Sequence, residues 1–466
     1  MLQALPDQHA EAVRRLQASY RQLPAGAPVR LAKSTSNLFR PRGGPPLGGL
    51  DVSGLTDVLA VDPLARTADV QGMCTYERLV SATLAHGLMP LVVPQLRTIT
   101  LGGAVSGLGI ESTSFRDGLP HESVLELDVL TGAGDVVTAR PDGEHADLFA
   151  AFPNSYGSLG YATRLRIELA PVAPYVRLTH VRARNLDHAA ELVTQVVADR
   201  AHAGLPVDFV DGVAFAPDEV YLCLGRWTEW EPRTSDYTGQ RVFYRSIRER
   251  PDDALGVEDY LWRWDTDWFW CSAAFGAQHP AVRRVWPRRW RRSDIYHRLV
   301  GLEHRFGVVS RVNRWRRAPA RERVVQDVEV PVERLAEFLR WFDQAVGMRP
   351  VWLCPLRLRE PPGPGGAPTP ARSWPAYPLE PGRTYVNVGF WGTVPIAPAA
   401  VDGDVNRAIE DQVAAVGGHK SLYSDAYYDR ADFDTIYGGA VRAEVAARYD
   451  PSARLTGLYE KAVQRR

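Results

Sequence analysis

The sequence has no GxxxxGK[ST] loop, no GxSxG elbow and no HExxH pair. Nucleoside-triphosphate, serine-hydrolase and zinc-peptidase chemistry therefore lack their machinery. Cysteine is scarce: Cys74, Cys223, Cys271 and Cys354 stand far apart, with no CxxC or metal-ligand spacing. That spacing predicts free thiols in a reducing compartment and no metal. Only three of the 55 basic residues are lysine, and 55 acidic residues cancel them, so no global field favours nucleic acid. No apolar run is long enough to span a bilayer. Met1 to Tyr20 carries Asp7, Glu11 and two arginines and reads as neither a signal nor a transit peptide.

What the chain has in its place is length and local glycine. Its 466 residues are enough for two or three domains with a substantial core. Pro94 to Gly118, PQLRTITLGGAVSGLGIESTSFRDG, holds Gly102, Gly103, Gly107, Gly109 and Gly118 among hydroxyl residues. Such density suits backbone lying against a ligand, with bare amides and Thr100, Ser106, Ser112 and Ser114 forming an anion cradle for a diphosphate. It equally suits a tight corner between packed elements. Gly107-x-Gly109-x-x-Ser112 lacks the third glycine of a dinucleotide fingerprint, and no regular strand–helix–strand alternation surrounds it. Lys33-Ser-Thr-Ser-Asn-Leu-Phe-Arg40 follows a strand expected at Val29–Ala32 and supplies a second hydroxyl-rich turn.

Periodicity predicts an α+β chain. Val58–Val61 and Thr67–Val70 read as a hairpin, Thr75 caps a helix, and Val124–Leu130 and Val136–Ala139 flank a turn. Thr163–Leu169 alternates, with Leu165, Ile167 and Leu169 on one face. After Pro171 and Pro174 the pattern restarts. Asn185 caps a helix, Val210–Phe215, Val220–Leu224, Val324–Val330, Val351–Leu358 and Tyr385–Phe390 are strands, and Val332–Val346 is an amphipathic helix. Between them, Tyr260 to Trp315 combines Trp262, Trp264, Trp268, Phe269 and Trp270 with the run Arg283-Arg-Val-Trp-Pro-Arg-Arg-Trp-Arg-Arg292. Tryptophan beside arginine fits anionic lipid headgroups, and it fits a packed aromatic patch with a solvated basic face as well. Nucleic acid is not expected.

Three stretches, VDPLARTADVQGMCTYERLV, LVVPQLRTITLGGAVSGLGIESTSFRDG and ADLFAAFPNSYGSLGYATRLRIELAP, resemble the PCMH-type FAD-binding domain of the vanillyl-alcohol-oxidase superfamily. Within it the sequence is most similar to the Δ24-sterol reductases, the 24-dehydrocholesterol reductase and Diminuto group. The likeness rests on GIES at Gly109–Ser112, FVDGVAFAPDEVYLCLG at Phe209–Gly225, QDVEVPVERL at Gln326–Leu335, PVWLCPLRL at Pro350–Leu358 and GGHKSLYSDAYY at Gly417–Tyr428. It implies a two-subdomain FAD-binding domain over residues 1–172 and an α+β cap over 173–415, with the Trp/Arg-rich insertion at 260–317. A C-terminal segment, 416–466, returns towards the flavin.

By resemblance, Ser34, Thr35, Ser36, Asn37, Thr100, Gly102, Gly103, Ser106, Gly107 and Ser112 line the FAD diphosphate. Gly157, Gly160 and Ala162 approach its adenosine end. Covalent members present a histidine where this chain has Asn37 or Glu111, so FAD is expected to bind non-covalently. The membrane-spanning N-terminal helix of animal members has no counterpart, and the expectation is a cytoplasmic protein, either soluble or peripheral on the inner face of the membrane. Relatives often carry a histidine where Ser421 stands here, and His419 is out of register with it.

The implied activity is reduction of an isolated C=C bond of a lipid, with hydride from NADPH or NADH reaching the alkene through FAD. Protonating an unactivated alkene demands a well-placed acid in a dry site. Candidate acids or orienting groups are Glu111, Tyr423, His419 and Lys420, with Asn387 as a hydrogen-bonding neighbour. Two readings stand beside a sterol substrate: reduction of a methylene-branched fatty acyl chain, and oxidation of a hydroxy compound as elsewhere in the superfamily.

Overall fold

The computed structural model describes residues 4–24, 26–33, 39, 49–239, 241–306, 319–361, 363 and 369–465. Two sheets built from antiparallel pairs organise this α+β fold. In the first, the spatial order is Val58–Asp62, Thr67–Gln71, Tyr161–Pro171, Val124–Leu130, Val136–Ala139, and Leu88–Pro90 pairs with the end of Tyr161–Pro171. The alternation of Tyr161–Pro171 sends Leu165, Ile167 and Leu169 into the core. On its other face Arg164 bridges the neighbouring strands, reaching Asp69 at 2.8 Å and Glu126 at 2.7 Å.

The chain passes from this sheet to the second between Pro171 and Tyr175. The second sheet runs Asp252–Gly256, Tyr175–Ala183, Glu219–Thr228, Phe209–Ala216, Val351–Leu356, Tyr385–Pro395, Arg321–Pro331, His419–Lys420. Helices Leu186–Asp199, Leu335–Ala345 and Asp404–Ala415 share a core with one face of it. The first begins where Asn185 accepts from His188 N–H at 2.8 Å, a cap worth about 1 kcal/mol.

Strand parity decides what the opposite face offers. Val386, Val388 and Phe390 pack towards the helices, as do Val324, Val328 and Val330 on the adjacent strand. Asp327 pairs with Gly389 and Glu329 with Asn387 across that ladder. Side chains alternate along a strand, so Asp327, Glu329, Asn387 and Trp391 all turn the other way, towards the first sheet. Strand Val351–Leu356 is buried on both faces, with Val351 and Leu353 in the helical core and Trp352 and Cys354 in the core shared with the first sheet. Among the described residues no helix is long and apolar enough to cross a membrane.

Candidate functional site

The glycine-rich stretch is pinned to the first sheet through its backbone. Gly102 N–H donates to Gly72 O at 2.9 Å, and a Cβ at Gly102 would stand 2.7 Å from that carbonyl oxygen. Only glycine allows this approach. Thr100 opens the short helix Leu101–Ser106, its hydroxyl accepting from Gly103 N–H (3.2 Å) and from Lys33 Nζ (3.2 Å).

Facing this turn is a cavity of about 340 Å³ that draws its walls from both sheets and from the C-terminal segment. Of the residues expected to hold a cofactor, Thr100, Gly102, Gly103, Ser106, Gly157 and Ala162 line it, whereas Gly107, Ser112 and Gly160 do not. Ser34, Thr35, Ser36 and Asn37 lie outside the described residues. Four cations that sequence reasoning did not assign to the site also line the cavity: Arg30, Lys33, Lys461 and Arg465.

The second group of lining residues is aromatic and nearly uncharged. Phe39, Trp268, Phe269, Trp352, Trp391 and Tyr423 stand around Asp327 and Asn387. Phe269 tilts against Trp391 with centroids 4.3 Å apart, and Phe39 meets Tyr423 edge-on at 5.7 Å. Asn387 Nδ2 donates to Asp327 Oδ1 at 2.8 Å, and Trp391 Nε1 donates to the Tyr423 hydroxyl oxygen at 2.8 Å. Burial pushes the Asp327 carboxyl up to about 6, with hydrogen bonds from Asn387 and Tyr423 opposing the rise. Burial likewise holds the Tyr423 phenol well above its ordinary range, so it stays protonated. Gly389 makes room for this cluster, since a Cβ there would stand 2.4 Å from Asp327 Oδ1.

Of the candidate acids and orienting groups, Tyr423 and Asn387 line the cavity and the other three do not. Glu111 is buried against Arg263 (2.9 Å), which also holds Asp211 (2.8 Å), and the Ser112 hydroxyl donates to Glu111 at 2.6 Å. Burial raises the Glu111 carboxyl against the pull of Arg263. His419 is buried with Nε2 3.5 Å from Glu329 Oε2, and desolvation lowers it to about 3, so the ring is neutral. Glu329 is raised well above its usual range by the same burial and accepts from Ser421 Oγ at 2.5 Å. Lys420 is buried rather than on the surface, its ammonium 2.8 Å from Glu410. Asp327 is the central residue that the sequence reading did not single out. Its signal is parity, because it shares a strand face with Asn387 across the ladder.

The Trp/Arg-rich stretch divides in two. Trp262, Arg263, Trp264, Trp268, Phe269 and Trp270 are buried, while Arg284, Val285, Arg288, Arg289 and Trp290 are exposed.

Residues 4–140 match the family model described as an FAD binding domain. The chain is 25% identical to the Delta(24)-sterol reductase of Mus musculus over 428 residues, 87% of this chain and 76% of that protein. It is 24% identical to the Delta(24)-sterol reductase of Arabidopsis thaliana over 453 residues, 89% of this chain and 76% of the relative. Cytokinin dehydrogenase 2 of Oryza sativa subsp. japonica is 35% identical over 211 residues, 43% of this chain and 36% of its own.

The cavity fits FAD. At Gly103 a Cβ would point at Thr100 Oγ1 (2.8 Å) and Lys33 Nζ (3.8 Å), so the bare backbone leaves a cradle beside a cation. Arg30, Lys461 and Arg465 add the positive charge that a diphosphate needs. Among the described residues, Gln95 Nε2 and Asn387 Oδ1 are buried without a hydrogen-bond partner, and both residues line the cavity. Such atoms are costly unless a bound group satisfies them.

Proposed function

We propose that this FAD-dependent oxidoreductase, which carries an FAD-binding domain and is distantly related to the Delta(24)-sterol reductases, reduces an isolated C=C bond of a lipid. The observation that carries the reading is the Asp327–Tyr423–Asn387 group set in a wall of tryptophan and phenylalanine. An apolar wall suits a long hydrocarbon substrate, a sterol side chain or a methylene-branched acyl chain, and excludes the water that would compete for the proton. FAD held there supplies the hydride chemistry, replenished by NADPH or NADH. Thr100, Gly102, Gly103, Ser106, Lys33, Lys461 and Arg465 would hold its diphosphate, and Gly157 and Ala162 its nucleoside.

The chain's own residues then have one chemical duty, to deliver a proton to the second alkene carbon. The Asp327–Tyr423 pair holds that proton. Tyr423 is oriented by the Trp391 N–H, and Asn387 keeps the Asp327 carboxyl aimed. Neutral His419 and ion-paired Glu111 and Lys420 take no part.

Asp327 also supports a second reading. A carboxyl poised at about 6 is, once deprotonated, a base able to take the proton of a hydroxyl substrate in a dehydrogenation. The pH dependence separates the two. For the reductase, the rate at which an olefinic lipid reoxidises reduced protein should fall as pH rises through about 6, because the pair loses a proton. For the dehydrogenase, flavin bleaching by an alcohol should rise over the same interval. Anaerobic bleaching by NADPH, followed by colour return on adding an olefin with dioxygen still excluded, is the expected result. Bleaching by an alcohol with peroxide release would overturn it.

A further inference from the structure

From Trp268 to Ser293 the sequence contains no acidic residue and six arginines. The structure gives those arginines two different tasks. Arg283 is buried on Asp267 at 2.7 Å, and Arg291 is buried with its guanidinium on the Thr238 carbonyl at 2.7 Å. Arg292 is tied to Glu77 at 2.7 Å. These three anchor the backbone of 280–292. Arg284, Arg288 and Arg289 are left on the outside of it, and among the described residues only Arg288 has a carboxylate at hand, Asp236 at 3.1 Å. Between them Val285 is 80% and Trp290 46% exposed.

A single exposed apolar residue calls for no explanation. This pair differs because it stands among three exposed arginines, with Asp236 as the carboxylate beside them, and heads an aromatic seam leading inward. Trp290 meets Trp286 at 6.4 Å, and Trp286 stacks over buried Tyr296 at 6.3 Å and 19°. Tyr296 shares a core with Trp268, which lines the cavity and stacks on Phe39 at 5.7 Å. Phe39 in turn touches Tyr423.

We propose that the 280–292 face docks on anionic phospholipid. Arg284, Arg288 and Arg289 meet the headgroups, and Val285 and Trp290 enter the boundary with the acyl chains. Docking there brings the outer end of the aromatic seam to the bilayer, and a lipid that parts the seam at buried Tyr296 would reach Trp268 and Tyr423 without crossing water. The surface itself rests on geometry and charge, and its use for substrate entry rests on the lipid-reductase reading above.

The test is co-sedimentation of the full flavin-loaded chain with vesicles of phosphatidylcholine alone or with 30% phosphatidylglycerol. Binding should require the anionic lipid and weaken with salt. The pair Arg284→Glu/Arg289→Glu, and separately Trp290→Ser, should each lower partitioning about tenfold or more while flavin absorbance shows the fold intact. No anionic-lipid binding, or undiminished binding by both variants, overturns the docking face. So does displacement of vesicles by a single-stranded oligonucleotide that binds the same arginines more tightly. Turnover distinguishes the two claims. Vesicle binding with no reoxidation by any olefin would sink the reductase alone, and reoxidation by detergent-dispersed lipid without vesicle binding would sink the docking face alone.

Discussion

Tyr423 takes a hydrogen bond from Trp391 and is itself bonded to Asp327, so its hydroxyl is fixed beside that carboxyl in the cavity wall. Tyr423→Phe removes the hydroxyl and leaves the ring. Stopped-flow reoxidation by an olefin should slow by about 10²–10⁴-fold, with flavin content unchanged. Asp327 makes a prediction about stability. Its folded pKa of about 6 lies above the ordinary value of 3.8, so its contribution is fully present below that ordinary value and is lost as pH rises through about 6. Asp327→Asn carries no such penalty, and above pH 6 it should be more stable than the parent by on the order of 2–3 kcal/mol in denaturant melts. Below pH 4 the difference should vanish. Neither role could be read from VVQDVEV alone, where an acid among valines looks like the solvent side of a half-buried strand. It takes the register with Tyr385–Pro395 to put Asp327 beside Asn387. Glu111 shows the same limit, since its partner Arg263 is 152 residues away.

At the scale of elements the local chemistry was legible. Thr75 and Asn185 cap the helices their positions suggest, and the alternation in Thr163–Leu169 becomes the buried face of a long strand. The helix expected over Val332–Val346 begins with a tight turn, Val332–Arg334, and continues as Leu335–Ala345. The stretch after Tyr260 was less legible. Its helical pieces, such as Asp265–Asp267 and Cys271–Phe275, are too short to show a period. Their tryptophans are held by tertiary packing that no local pattern encodes. Within the glycine-rich stretch, Gly102 is a packing necessity and Gly103 faces the cavity. Gly103→Val should therefore displace the Thr100 cap and intrude on the cradle, and the purified variant should be colourless in its absorption spectrum.

Across the whole molecule, one fully buried guanidinium joins the two halves. Arg263 binds Glu111 from the glycine-rich stretch and Asp211 from the second sheet, while Ser112 O accepts from Val210 N–H at 2.8 Å beside it. Arg263→Met leaves two buried carboxylates without their counter-charge and should cost about 3–5 kcal/mol in chemical unfolding. Glu111→Gln should leave the flavin spectrum unmoved, because its carboxylate points at Arg263 and not into the cavity.

The cavity walls come from Arg30 and Lys33 near one terminus, from both sheets, and from Thr456, Lys461 and Arg465 near the other. Val29 N–H donates to Arg454 O at 2.8 Å and so closes that circuit. A chain lacking residues 456–465 has no complete receptacle. With FAD as the proposed guest, a chain cut before Thr456 should purify without colour, whereas the full chain should be yellow.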